Sequence, residues 1–104
     1  MSVRAKILNL LSGITDPVIR VDVASTINYL MDIYASGSAK EEEIKRSLFE
    51  ICFDVIRATR PELIEEEARE EAKKLADELI GAFRMETLRR RVSVRFRARG
   101  LPRI

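Results

Sequence analysis

Apolar residues recur at helical spacing through the first 88 positions, and the spacing changes after them. Val3, Ile7, Leu8, Leu10 and Leu11 follow Ser2 and stop before Gly13, which predicts a short helix from about 3 to 12. Asp16-Pro17 supplies an N-cap followed by proline at the first helical position. From there Ile19, Val23, Ile27, Leu30 and Tyr34 recur at intervals of three and four, and Gly37 stops the pattern, so the second helix spans 17–36. Asp22, Ser25, Asp32 and Ser36 form its opposite face. The β-branched content of this segment lowers helix propensity, but the 3.6 period outweighs it.

Ser38 and Glu41 have capping-box spacing, and a third helix is expected over 39–58. Its polar face is narrow: Glu43, Arg46, Ser47, Glu50, Asp54 and Arg57. Leu48, Phe49, Ile51, Cys52, Phe53, Val55 and Ile56 fill the rest, an apolar arc wide enough to need more than one neighbour. Thr59 and Glu62 give a second capping-box spacing around Pro61, and a fourth helix is expected over 60–88. Its stripe is Ile64, Ala68, Ala72, Leu75, Leu79 and Phe83. Glu65–Arg69 and Glu70–Lys74 stand at favourable i,i+4 spacing on its charged side.

From Val92 the period becomes two. Val92, Val94, Phe96 and Ala98 alternate with Ser93, Arg95, Arg97 and Arg99 until Gly100 and Pro102. Alternating β-branched and aromatic residues predict a strand, and no other segment reads as its partner. The sequence therefore predicts an all-α, small four-helix bundle over 1–88 and an Arg-rich, strand-like C-terminal arm over 89–104.

Charge sharpens that division. The formal net charge is only +2. Residues 1–83 carry eleven Lys and Arg against sixteen Asp and Glu, while residues 84–104 carry eight Arg and one acid, Glu86. A basic tail on an acidic body implies an anionic partner or folding back on an acidic face. Arg89, Arg90, Arg91, Arg95, Arg97, Arg99 and Arg103 suit bidentate contacts to phosphate, and Phe96 could stack on a base. The expected partner is DNA or RNA backbone. The alternative is an interaction or scaffold module whose arm pairs with a sister subunit or an acidic protein, without nucleic acid. An orphan strand and a wide apolar arc together predict a homo-oligomer, most simply a dimer, its arms paired as an antiparallel ribbon.

The absences narrow the chemistry. The chain has no His, Gln or Trp, and its only Asn residues are Asn9 and Asn28. Abundant Glu, Lys and Arg with few amides is a composition found in proteins from hot environments. Without His, triads, His-containing zinc sites and Glu-x-x-His di-iron sites are excluded. Glu62, Glu65, Glu66, Glu67, Glu70 and Glu71 read as a solvated face rather than a metal site. No nucleophile–base pair or glycine-rich phosphate loop is present, so no enzyme, cofactor or small-molecule substrate is expected. A helix-turn-helix across Gly37 is disfavoured by the length of both helices and by the apolar third helix. A lone cysteine, Cys52, lies among core positions and permits no internal disulfide. With no signal-peptide pattern and no membrane-length apolar run, a cytoplasmic location is expected.

Overall fold

Helix-ending chemistry divides the described residues into four helices: α1 (Val3–Leu11), α2 (Pro17–Ser36), α3 (Glu41–Thr59) and α4 (Glu65–Ala98). The computed structural model describes the backbone of residues 3–98 and side chains as far as residue 92. The all-α bundle is as the periodicity predicts. Asp16 caps α2, its carboxylate accepting from the Val18 N–H at 2.9 Å. Gly37 closes α2 in the left-handed region, φ 74°, where a Cβ would be strained.

The start of α3 differs from expectation. The N–H of Ser38 donates to the Ile33 carbonyl at 3.2 Å, and its hydroxyl meets that of Ser36 at 2.6 Å. Ser38 therefore serves the end of α2 and is not free to cap α3. Lys40 takes the N-cap position, and Glu43 accepts from its backbone N–H at 3.4 Å. Glu41, released from capping, is available for a contact across the bundle.

The second expected capping box is also displaced. Thr59 remains in α3 and donates its hydroxyl to the Val55 carbonyl at 2.8 Å. Pro61 disfavours helical geometry at Arg60, which leaves the helix at φ −132°, ψ 69°. A turn follows, and α4 begins at Glu65 rather than near 60. Glu67 reaches back to accept from the Ile64 N–H at 3.2 Å.

The largest correction is at the C-terminal end. The strand expected over 92–99 does not form: residues 92–98 continue α4, and no strand occurs among the described residues. Arg99 and Arg103 lie outside the described residues. Extending a formed helix avoids a new nucleation cost, and a strand without a partner satisfies no backbone ladder. The antiparallel ribbon of two arms has no basis over residues 92–98, and the boundary expected after residue 88 falls inside α4.

The core joins Ile7 and Leu11 of α1, Ile27, Leu30 and Met31 of α2, and Ile44, Leu48, Cys52, Val55 and Ile56 of α3. From α4 come Ala68, Ala72 and Ala76, then Leu79, Ile80 and Phe83. The most extensive packing is between α3 and α4. Alanines at four-residue spacing permit close approach, and the large side chains that follow fill the space between helices. Part of the wide arc on α3 is covered within the chain. Phe49 and Phe53 stack 6.0 Å apart, and Arg57 and Arg69 lie 5.8 and 5.4 Å from the Phe53 centroid. Ile19, expected on the inner stripe of α2, is half exposed.

At about 1.5 Å per residue, α4 is roughly 50 Å long. It sets the long axis of a 57 × 28 × 21 Å molecule. Among the described residues, no helix is long and apolar enough to cross a membrane.

Candidate nucleic-acid interface

Arg84, Arg89, Arg90, Arg91, Arg95 and Arg97 follow one another along the C-terminal half of α4. Arg84 comes first and is tied down. Its Nε and Nη2 donate to the two carboxylate oxygens of Glu41, each at 2.8 Å. The Tyr34 hydroxyl donates to the same carboxylate at 3.1 Å. The Arg84 hydrogen bonds hold the Glu41 carboxyl below its ordinary range. Burial, with the neighbouring Glu41 carboxylate, pushes the Tyr34 phenol up.

Past Arg84 the compensation thins. Arg89 reaches Glu86 at 3.5 Å, and Arg90 reaches Glu86 at 3.4 Å and Asp32 of α2 at 3.5 Å. Both arginines thus draw on one carboxylate of α4. All of these groups are substantially exposed, except that Glu86 is half-buried, so the pairs are weak. Arg91 is exposed and has no ion pair among the described residues. Arg95, Phe96 and Arg97 lie on the helical backbone, but their side chains fall outside the described set, as do Arg99 and Arg103 altogether.

Helical geometry redistributes these charges. A strand would have put Arg95, Arg97 and Arg99 on one face. On a helix, Arg84, Arg91 and Arg95 fall along one side at intervals of seven and four, while Arg90 and Arg97 fall along another. The result is a basic helix segment, not a basic sheet face. Arg84 was absent from the sequence-derived set because its partner Glu41 lies 43 positions away. Asp32 was missed for the same reason.

A second feature lies at the other end of the bundle. Ile19 and Val23 of α2 face Ile51 and Val55 of α3 across an open groove of about 370 Å³, with Asp16, Asp22 and Asp54 among its lining residues. Asp16 is engaged as the α2 cap. Among the described residues, no cluster of three His, Cys, Asp or Glu side chains could hold a metal ion. The groove offers apolar surface and carboxylates, without a nucleophile beside a base. Cys52 is fully buried, and burial pushes its thiol up to about 12, which leaves it inert.

No protein-family model matches this sequence, and comparisons with curated proteins and with solved structures give no match either.

Proposed function

We propose that this protein is a small, oligomeric, non-enzymatic nucleic-acid-associated protein whose C-terminal arginines contact phosphate backbone. The observation that carries the reading is the charge imbalance along α4. Six arginines stand between 84 and 97 with one acid, Glu86, and Arg91 has no partner among the described residues. A helix of this kind offers planar guanidinium groups on several sides, suited to bidentate phosphate contacts without base readout. Arg99 and Arg103 extend the same charge. The bundle serves as the oligomerising body, and a lone buried thiol suits a reducing, cytoplasmic setting.

One observation favours the alternative, an interaction module that docks on an acidic protein surface. Arg84 and Arg90 already pair with Glu41 and Asp32 on other helices, so this segment readily meets carboxylates.

Salt-dependent binding separates the two. Fluorescence anisotropy with a labelled duplex and a single strand should show binding at 50 mM salt. Engagement of about five phosphates gives a log–log slope near −4 to −5 on duplex DNA. Deleting residues 89–104 should abolish that binding and keep the bundle folded, because the buried residues among those described precede the cut. An intact protein that binds neither probe at 50 mM salt ends the nucleic-acid reading.

A further inference from the structure

The solvent side of α4 carries an apolar stripe that bundle packing does not use. Met85, Leu88 and Val92 are exposed by 61, 56 and 56%. With Gly81 they follow at intervals of four, three and four, the spacing of a heptad seam. The seam lies opposite Leu79 and Phe83, which face the core. Glycine inside a helix weakens it, so its position calls for a reason. A Cβ added at Gly81 would meet nothing within 4 Å, so the bundle itself does not require glycine there.

We infer that this seam docks a second copy of the chain, with the two α4 helices antiparallel about a two-fold axis. The charge gradient along α4 selects the direction. Residues 65–78 hold seven acids and three bases, whereas residues 84–97 hold six arginines and one acid. Parallel copies would set arginine beside arginine over the same stretch. Antiparallel copies, in the register below, set residues 84–97 of one alongside residues 76–89 of the other, which hold three acids and only two arginines.

Register follows from side-chain size. Centred between Glu86 and Thr87, the pair sets Met85 against Leu88 of the partner subunit and Val92 against Gly81 of the partner subunit. Each large side chain then meets either its counterpart across the axis or the one position on the seam with no side chain. Because the arrangement is isologous, every contact occurs twice. Position 95 comes level with Glu78 of the partner subunit. The overlap covers residues 75–98, about 36 Å of helix. Arg89, Arg90 and Arg91 lie off the seam positions, so pairing joins two basic segments in one assembly.

This inference rests on the oligomeric part of the proposed function, and two measurements separate them. Sedimentation equilibrium of the full chain between 5 and 100 µM reads whether an oligomer exists, and a dimer is expected. Leu88→Glu should raise its dissociation constant at least about 100-fold, with the circular dichroism spectrum unchanged because Leu88 is exposed. Mild oxidation of the Gly81→Cys, Val92→Cys double variant reads the register. It should give a covalent dimer, whereas Val92→Cys alone should not, since the two copies of residue 92 stand about 16 Å apart along the axis. A monomer at all concentrations overturns both the inference and the oligomeric reading. A dimer that withstands Leu88→Glu, or that cross-links through Val92→Cys alone, overturns this surface while the oligomer stands.

Discussion

Arg84 and Glu41 make a bidentate pair, two hydrogen bonds of 2.8 Å joining the middle of α4 to the first turn of α3. The contact spans 43 positions and sits beside the tilted Tyr34–Phe83 ring pair, whose centroids are 5.8 Å apart. It thus links α2, α3 and α4 at the point where the bundle gives way to the basic end of α4. Bidentate geometry distinguishes it from the single-contact surface pairs elsewhere on the chain.

The sign of its pH dependence is fixed by Glu41. The carboxyl titrates below its ordinary value near 4.5 when folded, so the unfolded chain takes up the proton first on acidification. The pair's stabilisation is therefore complete above about pH 5 and is lost as pH falls through the lower folded value. Urea midpoints of the native chain and Glu41→Gln, measured from pH 3 to 7, should differ by a constant amount at the neutral end and converge at the acid end. A constant gap throughout would show that charge on Glu41 contributes nothing.

Cys52 gives the opposite slope. Its folded thiol stands at about 12 through burial, against roughly 8.5 in an unfolded chain. Stability is unaffected below about pH 8 and falls as pH rises beyond it, because only the unfolded thiol ionises there. An Ellman-type reagent at pH 8 should label the native protein only as fast as it opens, and label it at once in denaturant. Cys52→Ser should cost about 1–3 kcal/mol in urea unfolding by burying a hydroxyl among apolar neighbours.

Thr87 is nearly buried, and its hydroxyl has no hydrogen-bond partner. Thr87→Val keeps the shape and removes the orphaned group. An increase of about 1 kcal/mol in unfolding free energy is expected, read from urea denaturation. A loss of stability would mean that the hydroxyl is satisfied in solution.

The bundle was legible because its signals were local and mutually consistent. Pro17 and Gly37 bracket α2, and the apolar spacing of 44, 48, 52 and 55–56 marks the buried side of α3. Cap positions were less so, because one side chain had two uses. Ser38 fits an N-cap by spacing, yet the end of α2 claims it; Thr59 fits another, yet it bonds back to Val55. The arm misled for a further reason. Val92 and Phe96 stand four apart, as do Val94 and Ala98, and that spacing satisfies period two and the helical period alike. Read with Met85 and Leu88, Val92 belongs to a helical seam that was visible in the sequence. The partners of Arg84 and Arg90 were not visible, since they lie on α3 and α2, far off in sequence.

Helical continuity past residue 92 is itself open to a direct test. Val94 stands in the last turns of α4, after the described buried side chains of that helix. Proline there removes the N–H that bonds to the carbonyl of residue 90 and clashes with that carbonyl, so the helix should end near residue 92. The Val94→Pro variant should lose about six residues of helical signal in far-UV circular dichroism, with its thermal midpoint lowered by no more than a few degrees. A strand-like or irregular arm would lose no helical signal on the same substitution. The variant also bears on the seam, because Met85 and Leu88 precede the break while Val92 sits at its edge. Its dimer should weaken less than that of Leu88→Glu. Equal weakening would place the decisive contacts beyond residue 92, and not on the Met85–Leu88 centre of the pairing.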